Sequence, residues 1–203
     1  MKLCFDAVQP ALMTLLKRLM AMEELRDFYL VGGTALALRL GHRYSVDLDL
    51  FTSDPFDSAA LSKELTRQLR MEQAESMQNM VRGLVGGIKL ECIAHQYPLL
   101  EAVETVEGIR MASLKDLAAF KGNTIANRGA KKDFWDLHAL MNEFTREDIL
   151  GLCEQKYQGE SVWNLEKSMV YFDDADLDPD PRDLKGRTWK QIKHDLIENA
   201  RRD

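Results

Sequence analysis

Two aspartates separated by one residue, Asp47 and Asp49, lie in a stretch from Ser45 to Thr52 that alternates between polar and apolar residues as far as Leu50. Such alternation predicts a half-buried strand whose every second side chain shares a face. Asp47 and Asp49 then point the same way, while Val46, Leu48 and Leu50 point into the core. Two carboxylates side by side repel each other unless a cation lies between them. Magnesium suits that position, because it takes oxygen ligands and commonly uses one or two carboxylates together with substrate phosphates. A lone Asp-x-Asp can equally be two aspartates facing water, so the surroundings decide. Upstream, Val31-Gly32-Gly33-Thr34 reads as a strand-to-helix turn. Glycines there let the backbone approach a phosphate, and the helix N-terminus supplies amide donors and positive potential. Turn, helix and Asp-x-Asp strand together supply a triphosphate cradle and its metal.

Four further charged residues fit the same chemistry. In Ile88-Lys89-Leu90-Glu91-Cys92-Ile93, alternation puts Glu91 on the face of Lys89, opposite Leu90 and Cys92. If that strand neighbours the Asp47 strand, Glu91 completes a carboxylate triad able to hold two metals; otherwise it is a surface charge paired with Lys89. Lys121 falls on the apolar stripe Leu114, Leu117, Ala118 and Ile125 of a helix. A lysine on such a stripe is costly unless it finds an anion, which a bound phosphate would provide, or its stem snorkels to the surface. Asp133 lies on the inner stripe of Leu137, Leu140, Met141 and Phe144, with Asp136 beside it.

The elements that must position these groups follow from periodicity. An amphipathic helix is expected from about Val8 to Leu25, then a buried strand from Phe28 to Val31 and a short helix from Thr34 to Leu40 stopped by Gly41. Ser58 to Leu69 reads as a helix with Ser58 as its N-cap. Val81 to Val85 and Ile88 to Ala94 read as two strands joined at Gly86-Gly87, a hairpin signal. After Pro98 the pattern becomes mostly helical: Ser113 opens one helix with Asp116 in the capping-box position, and Lys132 to Phe144 forms another. The Asp- and Pro-rich segment 173–183 reads as a solvated connector, and Arg187 to Arg201 as a last amphipathic helix. Trp163 and Trp189 are expected to be packing residues. The fold class is therefore α+β, a mixed sheet with flanking helices, organised as an α/β core over 1–98 and a mainly helical part over 99–203 that completes a cleft.

Composition narrows the setting. The 203 residues are 45% hydrophobic and 30% charged, ordinary for a globular chain. No apolar run is long enough to span a bilayer, and the first residues do not pattern as a signal peptide, so no membrane contact and a cytoplasmic location are expected. Three scattered cysteines, Cys4, Cys92 and Cys153, share no metal-ligand spacing and predict neither a disulfide framework nor a zinc site. The net charge of −6 argues against general, sequence-independent nucleic-acid binding. Local basic groups, Arg39, His42 and Arg43 in one place and Arg128, Lys131 and Lys132 in another, can still meet a nucleic-acid acceptor or form solvated faces.

The run Val31-Gly32-Gly33-Thr34-Ala35-Leu36-Ala37-Leu38, followed by Gly41-His42-Arg43-Tyr44-Ser45-Val46-Asp47-Leu48-Asp49-Leu50-Phe51, resembles the signature of AbiEii-type nucleotidyltransferases. Ala118-Ala119-Phe120-Lys121 and Arg128-Gly129-Ala130-Lys131-Lys132-Asp133-Phe134-Trp135-Asp136-Leu137 are similar to that family's later motifs, so the resemblance covers about residues 28–140. It implies a DNA polymerase β-like fold, a nucleoside triphosphate and magnesium as substrates, and in several members a toxin role beside a cognate antitoxin. On this chain it implies metal ligation by Asp47 and Asp49, with Glu91 as third ligand or as base. Gly32, Gly33, Thr34, Arg43 and Ser45 would hold the triphosphate, Lys121 would neutralise phosphate charge, and Asp136 would be an active-site acid. The chain departs from the pattern at Glu91, where the family usually carries aspartate. The acceptor hydroxyl could belong to RNA, transfer RNA included, or to protein. Two rival readings share the cradle: a nucleotide-binding module that acts through a protein partner, and a kinase-like phosphoryl transferase.

Overall fold

Short apolar runs make the centre of the sheet, and the helices cover it. A computed structural model describes residues 2–158 and 162–201. Among them, α1 (Pro10–Ala21) buries Leu12, Leu15, Leu16 and Leu19, the apolar stripe read from the sequence. Strand β1 (Tyr29–Val31) is buried throughout and runs directly into α2 (Gly32–Leu40), which Gly41 ends in the left-handed conformation at φ 59°. Next come β2 (Leu48–Thr52), α3 (Ser58–Leu69) and the strands β3 (Glu72–Met77), β4 (Met80–Val85) and β5 (Ile88–Ala94). Strands β6 (Glu104–Val106) and β7 (Ile109–Met111) precede α4 (Leu114–Asn127), α5 (Lys131–Leu140) and α6 (Arg146–Tyr157). The chain closes with α7 (Val162–Ser168), the single turn α8 (Asp173–Asp176) and α9 (Trp189–Ala200). Trp189 packs against Trp135, Phe134 and Phe172 as expected, whereas the Trp163 side chain lies outside the described residues.

The strands form one mixed sheet in the order β3-β4-β5-β2-β1-β7-β6. β2 runs antiparallel to β1, setting Val31 opposite Asp49, and parallel to β5, setting Asp49 opposite Glu91. The β4–β5 hairpin turns at Gly86 and Gly87, whose φ values of 57° and 78° suit the primed turns of two-residue hairpins. One face of the central strands is dry: Leu48, Leu50, Leu90 and Cys92 are fully buried. Alternation sends Asp49, Phe51, Glu91 and Ile93 to the other face, into the cleft that α4 overhangs.

Several local expectations are corrected. The strand begins at Leu48, not Ser45; Ser45 makes a single bridge to Val8, and Val46, expected in the core, is 53% exposed. α3 is capped by Asp57, whose carboxylate accepts from the Ala60 amide at 3.0 Å, while Ser58 is its first residue. Beyond Pro98 the chain first adds β6 and β7 to the sheet, β7 lying parallel to β1. Three-residue strands are too short to leave a period in the sequence. The 173–183 segment is also no free connector. It starts with the turn α8, and Asp178, Asp180 and Asp183 are then tied to Lys131 and Trp135.

Candidate active site

The cleft lies between the open face of β2 and β5, the start of α2 and the inner side of α4, and encloses about 340 Å³. Its floor carries Asp47, Asp49 and Glu91, all half-buried. Asp47 sits just before β2, with its carboxylate 3.4 Å from the Lys132 ammonium. Glu91 lies 3.0 Å from Lys89, the pairing that alternation allowed. Among the described residues Asp49 has no such partner. Burial, and then the neighbouring charges of Glu91 and Asp47, push its carboxyl up to about 6. Among the described residues, no three carboxylate, histidine or cysteine groups converge tightly enough to enclose a metal ion as they stand.

Backbone and carboxylate meet at the glycine turn. Gly32 has φ +69°, and a Cβ there would lie 2.5 Å from Asp49 Oδ2. A Cβ on Gly33 would lie 2.2 Å from Arg43 Nη2. The two glycines thus admit a carboxylate and a guanidinium to the first turn of α2, whose amides have no intrahelical acceptors. Thr34 turns elsewhere. It is buried, its hydroxyl donates to the Asp47 carbonyl, and it lies 2.8 Å from the Ser45 hydroxyl. It therefore fixes the loop that carries Asp47, while Ser45, Gly32 and Gly33 line the cleft itself.

Behind the cleft is a buried ion network centred on Asp136. Its carboxylate is wholly buried and accepts from Arg43 Nε at 2.6 Å and Nη2 at 2.8 Å. Lys121 Nζ lies 2.8 Å from its Oδ2 and 2.6 Å from Asp133 Oδ1. His42 Nε2 is 2.7 Å from its Oδ1, so a neutral ring must carry its proton on that nitrogen. Burial alone would raise the Asp136 carboxyl, but Arg43, Lys121 and His42 outweigh it and hold the group well below the usual carboxylate range. The same carboxylates keep Lys121 and Arg43 charged against the cost of their own burial. The anion that Lys121 needs is therefore Asp133 with Asp136. Lys121 and Arg43 still line the cleft, whereas Asp136 stands behind them, outside the lining.

Sequence reasoning missed part of the wall. Asn123, Thr124 and Asn127 on α4 line the cleft beside Phe120 and Lys121, and Arg128 and Lys132 stand at its rim. Spacings of three and four from Phe120 mark that polar stripe, a signal available once Lys121 is placed.

The geometry agrees with comparisons to known proteins. Residues 14–83 match the family model described as nucleotidyl transferase AbiEii toxin, type IV TA system. An uncharacterised protein of Aquifex aeolicus is 39% identical over 166 residues, spanning 79% of this chain and 81% of its own length. Among solved structures, the chain is similar in fold to JHP933 of Helicobacter pylori, with a TM-score of 0.57 at 19% identity over 96% of this chain and 92% of that one. It is also similar to MenT4, a nucleotidyltransferase toxin of Mycobacterium tuberculosis, with a TM-score of 0.55 at 15% identity over 92% and 83%. ANT(2'')-Ia, solved with adenylyl-2''-tobramycin, gives 0.54 at 17% identity over 74% and 99%. At these identities the structures speak for the fold, which is the mixed sheet with flanking helices of polymerase β-like nucleotidyltransferases. With the glycine turn, the Asp-x-Asp strand and the basic α4–α5 wall in place, the chain belongs to the AbiEii nucleotidyltransferase toxin family.

Proposed function

We propose that this protein transfers a nucleotide from a nucleoside triphosphate to an acceptor hydroxyl, with RNA as acceptor, as the toxin of a cytoplasmic toxin–antitoxin pair. The observation that carries the reading is the meeting of Asp49 with Gly32 at the N-terminus of α2, where a carboxylate and the first turn of the helix line the same cleft. The amides at Gly32 and Gly33, the Ser45 hydroxyl and the Arg43 guanidinium hold the β- and γ-phosphates. Lys121 faces the charge that develops on them. The acceptor oxygen attacks the α-phosphorus, the bond from that phosphorus to the β-bridging oxygen breaks, and pyrophosphate leaves with its electron pair. Glu91 receives the hydroxyl proton. The core over 1–98 supplies the carboxylates, and the part over 99–203 supplies the basic wall.

The donor set fits a hard divalent cation. Asp49 is burdened by like charge, and Asp47 and Glu91 offer oxygen atoms paired with half-exposed lysines. Magnesium commonly needs only one or two protein carboxylates beside phosphate and water, so a closed cage is not required. Asp47 and Asp49 would hold it, and it would neutralise charge between carboxylates and phosphates, which leaves Glu91 to take the proton.

Calorimetric titration of nucleoside triphosphates with and without magnesium tests the site. Binding should require the divalent cation and should be lost in Asp49→Asn. Equal affinity in the presence of a chelator would remove the proposed arrangement.

A further inference from the structure

Beside the cleft runs a second groove of about 430 Å³, and Arg43, Ser45, Asp47 and Lys132 belong to both. Asp47 thus stands on the border between them. The far wall of the groove is the 178–182 segment, which the sequence marks only as an acidic connector. It is held firmly: the Tyr44 amide donates to the Arg182 carbonyl at 2.8 Å, and the Lys131 amide donates to Asp178 Oδ2 at 2.9 Å. The Lys131 ammonium also reaches the Asp178 carbonyl and, at 3.0 Å, Asp180 Oδ1. Lys131 therefore holds Asp178 and Asp180 in place beside Arg182.

Arg182 is exposed, and its guanidinium carbon lies 4.9 Å from the centre of the Tyr44 ring. Among the described residues it has no carboxylate partner. Next to this pair Val46 is 53% exposed, an apolar side chain left open between Tyr44 and Asp47. A ring with a guanidinium over it, an uncovered apolar side chain and the nearby Lys132 ammonium make a surface for a flat heterocycle attached to a phosphate. Aromatic and guanidinium faces take any base by stacking, and cations follow the backbone.

In-line transfer requires the incoming hydroxyl to approach opposite the leaving pyrophosphate. With the pyrophosphate at the Gly32–Gly33 end of the cleft, the open approach past Asp47 is from this groove. We infer that the groove between Tyr44 and the pinned 178–182 wall seats the acceptor. The Tyr44–Arg182 pair receives the base next to the reacting hydroxyl of a single-stranded RNA end. The inference rests on the transferase reading for its chemistry but not for its binding step. The hydroxyl oxygen forms the new bond to the α-phosphorus, pyrophosphate departs with the bonding pair, and the proton goes to the carboxylate floor. A single seated end also agrees with a net charge of −6, which provides no basic surface for a long duplex.

Two readouts test it. Binding of a fluorescent single-stranded oligoribonucleotide is followed by anisotropy in the wild type, Arg182→Ala, Tyr44→Ala and Tyr44→Phe. Transfer of α-labelled nucleotide to the same oligonucleotide gives KM and kcat. Loss of one stacking partner should weaken RNA binding and raise KM by about tenfold. Tyr44→Phe, which keeps a ring, should bind RNA more tightly than Tyr44→Ala, with magnesium–nucleotide affinity unchanged throughout. RNA binding unaltered by Arg182→Ala and Tyr44→Ala would overturn the assignment. So would an equal loss of nucleotide affinity, or label reaching cell protein and not RNA with the same dependence on Arg182. If the wild type binds RNA through this pair yet moves no label, the transferase reading fails and the groove stands.

Discussion

Asp136 holds two residues of a cleft whose lining it does not join. One buried carboxylate gathers Arg43, Lys121 and His42, and two of those three line the cavity. Removing one member of a buried charge group leaves the others uncompensated, which typically costs about 3–5 kcal/mol. Asp136→Ala should therefore lower unfolding stability by an amount of that order in urea titration. Triphosphate binding should fall as well, since Arg43 and Lys121 lose their anchor. A loss of less than about 1 kcal/mol would mean that the network relaxes around the gap. The sequence placed Asp136 near the chemistry through its resemblance to the family motif. Its role behind the cleft was hidden because His42 and Arg43, its main partners, lie more than ninety positions earlier in the chain.

At the scale of elements, the end of β5 is fastened to α4 and α6 by rings around a buried ion pair. His95 stacks on Phe51 at 5.1 Å between centroids and meets Phe120 at 4.8 Å and Tyr97 at 5.0 Å. Beside them, Lys156 Nζ bonds Asp116 at 2.7 Å and the Pro98 carbonyl at 2.8 Å. Burial, and then the Lys156 charge, push the His95 imidazolium down to about 4 from its ordinary 6.5. The folded protein thus holds this ring neutral where the unfolded chain would protonate it. Stability is then fully present above pH 6.5 and is lost as pH falls from 6.5 toward about 4. Urea midpoints at pH 7 and pH 5 should differ in the wild type and differ less in His95→Gln. An equal pH dependence in both would place the effect elsewhere. Long or strongly alternating elements such as α1, β5 and the Gly86-Gly87 hairpin were legible in the sequence. β3 was not, because its six residues are all exposed and its register breaks between Glu72 and Glu75, leaving no alternation to read. Val46 misled for a related reason: the alternation runs through it, but the strand begins only at Leu48, and the preceding loop turns it outward.

For the whole molecule, one sheet ties together parts that the sequence divides. β7 reaches back from beyond residue 98 to pair with β1, and α4 then crosses above the carboxylate floor laid by β2 and β5. Glycine turn, carboxylates and basic wall are therefore held by one framework, with the second groove opening past Asp47 on its other side. Among the described residues no helix is long and apolar enough to cross a membrane. A nucleotidyltransferase built on this framework breaks the bond between the α- and β-phosphates, whereas a kinase sharing the same cradle would pass on the γ-phosphate. Incubating the protein with cell RNA, cell protein, magnesium and triphosphates labelled at either the α- or the γ-position separates the two. Label from the α-position should reach the acceptor, and Asp47→Ala should abolish its transfer. Movement of γ-label instead, or of neither label while the triphosphate still binds, would contradict the account.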